Sequence, residues 1–361
     1  MTSVRLDRLR VAFGDVVAVD DVSITFEDGE FVVLLGPSGC GKTTTLRCIA
    51  GLEQPTAGEI YFGDDAVSAL PSRTRNVAMV FQFVSLYPHL SVRENIAFPL
   101  RARGEARKEI DRRIDWMTRI FALGDILHRK PGVLPPGARQ KAALARAVVR
   151  DPRVLLLDEP LSAIDEQFRE EMRWELRHIQ KELGTTTIHV THDQREAMSL
   201  ADRVVLMRDG QIVQAGTPAA LYDDPANEFA AFFIGSPSIN LIDAEITDRG
   251  LLLGAERVPL ALPPAHLAAL RAAGLPRCRI GVRPYALSPA AGPDDGPLLV
   301  KADILERYAL GRESFFDCLV AGQAWKGIVP FGAEDSVEGF VRLAADKVFY
   351  FAPDGARLRV G

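Results

Sequence analysis

An apolar run followed at once by a glycine-rich turn constrains the fold of this chain more than any other feature. Phe31-Val32-Val33-Leu34-Leu35 contains no polar residue, which is typical of a strand covered on both faces of a parallel sheet. The residues that follow, GPSGCGKT at 36–43, fit the pattern G-x-x-x-x-G-K-[ST] of a phosphate-binding loop. A helix is predicted over 42–50, because Gly51 is a typical residue just beyond a last helical turn. Strand, loop and helix together predict an α/β fold with an anion site at the helix start.

The residue types in this loop suit a chain of phosphates. Glycine lets the backbone wrap closely round phosphate oxygens, while the loop N–H groups and the helix dipole face the anion. Lys42 is expected to neutralise the β- and γ-phosphates, and Thr43 to ligate Mg²⁺. The predicted nucleotide-binding residues of this segment are Gly36, Ser38, Gly39, Cys40, Gly41, Lys42, Thr43 and Thr44.

A second apolar run ends in two carboxylates. The stretch VLLLDEP at 154–160 predicts a strand that carries Asp158 to the carboxyl edge of the sheet, where open α/β sheets bind ligands. Asp158 is predicted to hold magnesium through water. Glu159 is predicted to act as general base or to position the attacking water. Taken alone, the motif would also fit an exposed acidic pair before a proline turn.

His192 follows a third predicted strand, at 187–191. A histidine at that edge can donate a hydrogen bond to a γ-phosphate and respond to hydrolysis. A single histidine is nevertheless more often a surface or core residue, and we assign that structural role to His178 and His189.

Composition limits the remaining classes of function. The chain has 361 residues, of which 47% are hydrophobic and 25% charged, and its net charge is −5. These values predict a globular protein of two or three domains that does not bind nucleic acid. No run approaches the roughly 18 apolar residues of a transmembrane helix, and the first ten residues lack a signal-peptide core. The four cysteines have no metal-ligand spacing. A reduced, cytoplasmic protein is expected, whose membrane role would come through a partner.

Two changes of pattern divide the chain. Helical spacing of Arg, Glu, Ala and Leu predicts a helical subdomain at about 86–150, inside a first domain of residues 1–235. Beyond Ser236-Pro237, short alternating runs are separated by Gly, Pro and Asp, which predicts a small all-β domain over 236–361. In this interpretation, helical periodicity ends near Phe233.

Several motifs occur in an order that resembles the ATP-binding subunits of ABC transporters, most nearly importers of maltose-like sugars and glycerol phosphate. The motifs are GPSGCGKTT at 36–44, VFQ at 80–82, LYPHLSV at 86–92, LLLDEPLSAID at 155–165, VTHDQREAM at 190–198, FIGSPSINLI at 233–242 and GVRP at 281–284. The resemblance extends over nearly the whole chain. It implies a P-loop ABC cassette with a helical subdomain, followed by a small OB-like regulatory domain of the TOBE type. It also implies that the chain binds ATP and Mg²⁺ and hydrolyses ATP.

Further roles follow from the resemblance residue by residue. Gln82 corresponds to the Q-loop glutamine, which implies contact with both magnesium and the attacking water. Phe13 matches the aromatic residue that stacks on adenine, where the family more often has tyrosine or tryptophan. Asp165 resembles an aspartate that crosses the dimer interface. Residues 86–90 correspond to the place where the ATPase of this family contacts a helix of the membrane subunit.

The same resemblance implies the partners and the location of the protein. The partners are membrane permease subunits, a second ATPase subunit that is the same chain or a different one, and, indirectly, a periplasmic or extracellular binding protein. The expected location is the cytoplasmic face of the cell membrane. Sugar or glycerol-phosphate import is expected, and importers of polyamines, iron or anions remain alternatives because their ATPases are related.

One segment departs from the family pattern. ABC ATPases begin the helix before the magnesium strand with an LSGGQ-like signature, which covers the nucleotide held by the other subunit. Leu134-Pro135-Pro136-Gly137-Ala138 occupies that place here. The serine hydroxyl and two backbone N–H groups are therefore missing, while the N–H of Gly137 and the helix dipole remain. Each charge-assisted hydrogen bond lost costs roughly 1.5–3 kcal/mol, and turnover falls about tenfold for each 1.4 kcal/mol.

Two arrangements are consistent with this asymmetry. In the first, the chain pairs with a different ATPase that carries an intact signature. In the second, a homodimer works slowly through Gly137 and the helix dipole. Proteins of other classes fit less well: a soluble ABC ATPase of translation or DNA repair would usually carry two cassettes or a long coiled coil. A kinase or GTPase would lack the set of Gln82, Asp165 and His192.

Overall fold

The computed structural model describes residues 2–82, 86–162, 164–290, 297–310, 313–330 and 339–360. Within those ranges, no helix combines the length and the apolar character that crossing a bilayer requires.

Contacts between Cα atoms divide the chain into two compact units, Met1–Pro218 and Ala219–Gly361. This division falls before the 235/236 boundary that the sequence suggests. The guanidinium of Arg283 donates hydrogen bonds to the carbonyl oxygens of Tyr222 (3.0 Å) and Ala231 (2.7 Å). Helical residues just after the cassette are thereby tied to the β-rich unit.

Two sheets build the first unit. Its strands are β1 (Val4–Phe13), β2 (Val16–Phe26), β3 (Phe31–Leu35), β4 (Ala57–Phe62), β5 (Asp65–Ala66), β6 (Val77–Val80), β7 (Val154–Asp158), β8 (Thr186–Thr191), β9 (Arg203–Arg208) and β10 (Gln211–Gly216). One sheet is antiparallel, in the order β2-β1-β4-β5. The other has the order β10-β9-β3-β8-β7-β6 and is parallel except between β9 and β10. The carboxyl ends of β3, β7 and β8 therefore meet at one edge.

The helices of this unit are α1 (Lys42–Ala50), α2 (Val92–Ala102), α3 (Arg107–Ile120), α4 (Pro136–Val148), α5 (Glu166–Leu183) and α6 (Gln194–Leu200). Helices α2 to α4 follow one another between β6 and β7. Ser91 and Glu94 form a capping box that starts α2, since each side chain bonds the other residue's backbone N–H. Gly184, with φ of 61°, ends α5 in the left-handed conformation typical of such stops.

The core of the first unit lies around the parallel sheet. Every residue of β3, β7 and β8 is buried, which confirms the prediction of strands covered on both faces. Apolar residues of these strands and of the antiparallel sheet form one cluster with the inner face of α1, including Leu46 and Ile49. Packing on both sides fixes the loop between β3 and α1 at the carboxyl edge of the sheet.

The second unit is mostly β-structure. Its strands are β11 (Asn240–Thr247), β12 (Gly250–Leu253), β13 (Val258–Leu260), β14 (Arg277–Val282), β15 (Leu287–Ala290), β16 (Leu299–Lys301), β17 (Asp303–Leu310), β18 (Glu313–Val320), β19 (Gln323–Pro330), β20 (Phe340–Leu343), β21 (Val348–Phe351) and β22 (Arg357–Leu358). They form three sheets in the orders β13-β12-β11-β14-β21-β22, β15-β20-β16 and β17-β18-β19. Trp325 and Tyr350 are buried in the cluster that these sheets share. The predicted small β domain of OB-like type is confirmed.

Helices α7 (Pro218–Asp223), α8 (Glu228–Phe233) and α9 (Pro264–Ala272) complete the chain. The expectation that helical structure ends near Phe233 is wrong, because α9 lies within the β-rich region. The stretch PPAHLAALRAAG at 263–274 starts with proline at the first helical position and is rich in alanine, both of which favour a helix. Its prolines and glycine are also typical of the turns between strands, so the sequence pattern wrongly predicted a turn at this position.

Candidate active site

Two glycines shape the loop between β3 and α1, because a side chain at either position would force neighbouring backbone atoms to move. Gly41 has φ of 99°, and a Cβ there would fall against the carbonyl oxygen of Ala18, well inside van der Waals contact. Gly36 has φ of 155°, and a Cβ there would meet the carbonyl of Met207 and lie 2.8 Å from Cys40 Sγ. The turn can therefore follow its tight path only with glycine at both positions.

We expect Gly41→Ala to destabilise the cassette and to abolish nucleotide binding. Alanine would add the cost of a left-handed φ, about 1–2 kcal/mol, to a clash with backbone, about 1–3 kcal/mol. Gly63→Ala is a matched control, because Gly63 has φ of 62° and a Cβ added there would have no described atom within 4 Å. Thermal unfolding and titration with a fluorescent ATP analogue measure the two effects. Equal losses in the two variants would contradict the role of the Ala18 contact.

The ammonium group of Lys42 is buried inside the same loop. Its Nζ donates hydrogen bonds to the carbonyl oxygens of Gly36 and Pro37, both at 2.8 Å, and lies 3.7 Å from Cys40 Sγ. Burial raises the pKa of the Cys40 thiol, although the positive charge of Lys42 opposes that rise. The lysine thus holds the two ends of the turn together while its charge stays within the loop.

The other predicted loop residues occupy the places that the sequence suggests. Ser38 and Gly39 form the exposed tip of the turn, where Gly39 has φ of 81°. Thr44 lies in the first turn of α1 and is half-buried.

Thr43 and Asp158 bring the loop and the second predicted motif together. The Thr43 hydroxyl donates a hydrogen bond of 3.0 Å to Asp158 Oδ1, so the start of α1 touches the end of β7. Asp158 is 7% exposed. Burial raises the pKa of its carboxyl group, and the Thr43 hydrogen bond and the charge of Arg47 partly offset that rise. A carboxylate and a hydroxyl oxygen held side by side suit a hard cation such as Mg²⁺.

Glu159 joins the remaining predicted residues of the edge. His192 Nδ1 lies 3.1 Å from Glu159 Oε1, and Gln82 Nε2 lies 3.5 Å from Glu159 Oε2, at the outer limit for a hydrogen bond. All three side chains thus meet at the ends of β6, β7 and β8.

The backbone of Glu159 is unusual. Its φ is 46°, a left-handed value that costs a non-glycine residue about 1–3 kcal/mol. Three hydrogen bonds hold it there. Its N–H donates to the carbonyl of Val190 (3.0 Å), and its own carbonyl accepts from Ser162 Oγ (2.9 Å) and from the Ser162 N–H (3.3 Å). In this conformation the Glu159 side chain contacts His192.

A buried pair, His189 and Glu196, flanks His192 along the chain, and its second member was not singled out from the sequence. His189 is fully buried, and its Nε2 lies 3.1 Å from Glu196 Oε2. Burial pushes the pKa of Glu196 up, but hydrogen bonds from His189 and Thr191 outweigh it, so that the net pKa is lowered. The structural role assigned to His189 is consistent with this position. The pair joins β8 to α6, the elements on either side of His192 in the chain.

Arg169 is a second residue that the sequence did not single out. Its Nη2 donates a hydrogen bond of 3.0 Å to the carbonyl oxygen of Ile164, next to Asp165. Its Nη1 lies 3.6 Å from Asp193 Oδ2, next to His192. One guanidinium therefore connects the loop that carries Asp165 with the loop that carries His192.

Phe13 and the segment at 134–138 lie on other elements. Phe13 ends β1 opposite Val16 and is 50% exposed. Pro135 precedes α4 without any side-chain cap, and Pro136 is the first helical residue. Gly137 is buried, with Phe168 of α5 next to it. The first backbone N–H of α4 to bond within the helix is that of Arg139, to the Pro135 carbonyl at 3.1 Å.

These elements define a class of protein. A parallel sheet whose edge combines a phosphate-binding loop, a buried aspartate, a glutamate and a histidine is the nucleotide-binding edge of a P-loop ATPase. A helical region inserted before the aspartate strand places it among ATP-binding cassettes.

Comparison with known proteins gives the family. Residues 19–162 match the ABC transporter family. The chain is 42% identical over 362 residues to the sn-glycerol-3-phosphate import ATP-binding protein UgpC of Ruegeria pomeroyi, covering 100% of this chain and 97% of that protein. It is 51% identical over 258 residues to the trehalose/maltose import ATP-binding protein MalK of Thermococcus litoralis, covering 70% and 69%. The chain therefore belongs to the ATP-binding proteins of ABC transporters, binds ATP and hydrolyses it.

Solved structures match the cassette. CbiO1 of Clostridium perfringens, part of the ABC transporter complex cbiONQ, superposes with a TM-score of 0.58 at 26% identity, covering 61% of this chain and 90% of that one. The ATP-binding cassette MJ0796, in a dimeric post-hydrolysis state bound to ADP and phosphate, gives a TM-score of 0.52 at 29% identity, covering 59% and 98%. The resemblance and the fold class expected from the sequence are both confirmed.

Proposed function

We propose that this chain hydrolyses ATP to drive import of a carbohydrate or of glycerol 3-phosphate through a membrane permease, at the cytoplasmic face of the membrane. The observation that carries the proposal is the full-length likeness to a glycerol-3-phosphate import ATPase in a chain whose Thr43–Asp158 and Glu159–His192 contacts are both in place. A 43% identical relative over 85% of this chain, the sulfoquinovosyl glycerol transport protein SmoE of Agrobacterium fabrum, supports the same substrate class.

The residues of the edge fit MgATP. The tight glycine turn and the start of α1 can present backbone N–H groups to phosphate oxygens, although the N–H of Cys40 already bonds the Pro37 carbonyl at 3.4 Å. Lys42 supplies the positive charge beside them. Thr43, Asp158 and Gln82 would hold Mg²⁺, which when bound neutralises phosphate charge. We assign adenine stacking to Phe13, because it is half-exposed at the end of a strand and a flat π-face is all that stacking needs.

Glu159 is the proposed general base. A carboxylate accepts a proton from water, or orients that water, when it is fixed within hydrogen-bond reach. The strained backbone and the contact with His192 fix the Glu159 side chain. Gln82 and His192 lie on either side of it, and both can donate hydrogen bonds toward the phosphate end of the site.

A second subunit completes this site in our proposal. The segment donated by each chain is Pro135-Pro136-Gly137, which offers the N–H of Gly137 and the positive end of α4 without a serine hydroxyl. The nucleotide site that this chain builds from its own phosphate loop therefore has its expected residues. The site on the other subunit that Pro135-Pro136-Gly137 covers lacks the serine hydroxyl. Whether the covered site belongs to an identical or a different subunit decides the turnover of the dimer.

A groove of about 460 Å³ on the helical region is the proposed seat of the permease helix. Tyr87 and Phe98 lie in it with ring centroids 4.6 Å apart, and they are 36% and 43% exposed. The Arg146 guanidinium lies 5.3 Å from the Tyr87 ring. Exposed aromatic residues beside arginine are typical of protein interfaces. Ala78 and Met79 of β6 also line the groove, so a permease helix would contact the strand that ends shortly before Gln82.

Purification of the tagged chain from detergent-solubilised membranes tests this proposal. We expect membrane subunits to co-purify, and the reconstituted complex to accumulate radiolabelled glycerol 3-phosphate or maltose in vesicles when ATP is supplied. Phe98→Ala should reduce co-purification at least several-fold, because it removes an aromatic anchor from the groove. Phe232→Ala is the control, since Phe232 is 52% exposed but belongs to the second unit. Uptake of neither solute, or equal recovery of membrane subunits from both variants, would contradict the proposal.

A further inference from the structure

A cavity of about 210 Å³ lies between α5 and α6 and shares no residue with the nucleotide edge. Helix α5 contributes Glu170, Arg173, Trp174 and Arg177, and α6 contributes Arg195 and Leu200. Arginine is thus the most frequent residue of the lining, and an aromatic and an aliphatic side chain supply apolar surface beside it.

Two of these arginines already have close carboxylate partners. Arg177 Nη1 donates a hydrogen bond of 2.9 Å to Asp202 Oδ2, and a second bond joins its Nη2 to the same carboxylate. Arg195 Nη1 lies 2.9 Å from Glu166 Oε1, and its Nε lies 3.8 Å from Asp193. Neither guanidinium needs a ligand to satisfy its charge.

Arg173 differs from both. It is 7% exposed, and its nearest carboxylate oxygen is that of Glu170, 3.9 Å from Nη2. Glu170 itself is largely exposed, so this pair is weak. Within the described part of the chain, Arg173 Nη1 has no hydrogen-bond partner. A buried donor on a charged group is costly to leave unpaired. Because the contact with Glu170 is weak, the positive charge of this guanidinium would attract an anion in the cavity that it lines.

Trp174 indicates that the ligand also has an apolar part. Its side chain is 75% exposed at the cavity, although tryptophan is usually well buried. Together with Leu200 it offers a flat and an aliphatic surface near the Arg173 guanidinium. The cavity is smaller than the roughly 300–1,000 Å³ of sites for drug-sized ligands, so the occupant is a small molecule with a short apolar body.

We propose that this cavity binds a small organic anion, with its carboxylate or phosphate group on Arg173 and a flat apolar body on Trp174. The site lies outside the nucleotide edge and is additional to the proposed transport function. The two helices that line the cavity, α5 and α6, begin just after Asp165 and His192 in the chain.

Binding of two simple probes tests the site. The full-length chain, saturated with MgADP so that its phosphate loop is blocked, is titrated with benzoate and with phenyl phosphate by ligand-observed NMR. We expect saturable binding of at least one probe, and the stronger of the two identifies the preferred anion. Benzamide, which has the same ring but no charge, should bind about tenfold more weakly or not at all.

Three variants assign the binding to the cavity. Arg173→Gln should weaken it about tenfold or more, because it removes the charged donor. Trp174→Ala should weaken it several-fold, and the chain should still fold because this side chain is largely exposed. Lys181→Gln removes an exposed charge from the same helix and should bind the probes as the unmodified chain does.

Several results would overturn the proposal. They are the absence of saturable binding below about 10 mM, equal binding of benzamide, and full affinity in the Arg173→Gln or Trp174→Ala chain. If Arg173→Gln does not fold, the Trp174→Ala and benzamide results decide the question without it. None of these outcomes depends on transport, because neither probe assay requires a permease or ATP hydrolysis.

Discussion

Glu159→Gln is expected to lower ATP turnover of the assembled transporter by about 10²–10⁴-fold, the range typical for loss of a general base. The amide keeps the shape of the side chain and its contacts with Gln82 and His192, at 3.5 and 3.1 Å, but cannot accept a proton from water. Affinity for ATP should stay unchanged, because Lys42 and Asp158 are untouched. Phosphate release and equilibrium binding of a fluorescent ATP analogue measure the two quantities separately.

Glu171→Gln is the matched control, since Glu171 is an exposed glutamate of α5. It should hydrolyse ATP at the unmodified rate. The expected loss in Glu159→Gln holds for a homodimer and for a heterodimer whose strong site uses this chain's own loop. Residual turnover above about one tenth of normal would contradict the role of Glu159 as base.

The second large effect concerns Pro135 and Pro136. Restoring the family residues with the double change Pro135→Ser and Pro136→Gly should raise turnover of a homodimer at least about tenfold, because it supplies a hydroxyl and two backbone N–H groups, and each bond to a phosphate contributes roughly 1.5–3 kcal/mol. The serine would also cap α4, which starts without a side-chain cap. Gly137 keeps its buried position in the variant. Steady-state hydrolysis by the purified chain measures the change.

A second proline pair offers the control. Pro263 and Pro264 start α9 in the same manner, with Pro264 at the first helical position, but they lie in the β-rich unit. Pro263→Ser with Pro264→Gly should leave turnover unchanged. If the change at 135 and 136 also leaves turnover unchanged, the homodimer is contradicted and a partner with an intact signature is required.

Sequence pattern predicted the parts of the site that depend on local order. An unbroken apolar run and a glycine loop lead directly to β3 and α1, and the structure gives those elements the predicted bounds. The meeting of Thr43 with Asp158 also follows from sequence, because parallel strands bring their carboxyl ends to one edge.

Features that depend on distant contacts could not be predicted in this way. The left-handed conformation of Glu159 is fixed by Val190 on a neighbouring strand, and no pattern near Glu159 signals it. Two of the partners of Arg169, Ile164 and Asp193, lie on loops that are separated along the chain by the whole of α5 and β8. Helix α9 could not be predicted for a different reason, since its flanking prolines favour a helix start and a strand boundary equally well.

The connection made by Arg169 has a consequence for how two composite sites work together. Its single guanidinium contacts the loop of Asp165, which the resemblance predicts to lie against the other subunit, and the loop of His192, which we propose belongs to the chain's own site. A displacement of one loop would therefore be felt by the other through this side chain, which is the physical basis that coupling between two sites requires. In a dimer of the kind that the resemblance implies, we expect the occupancy of one nucleotide site to shift the affinity or the rate of the other.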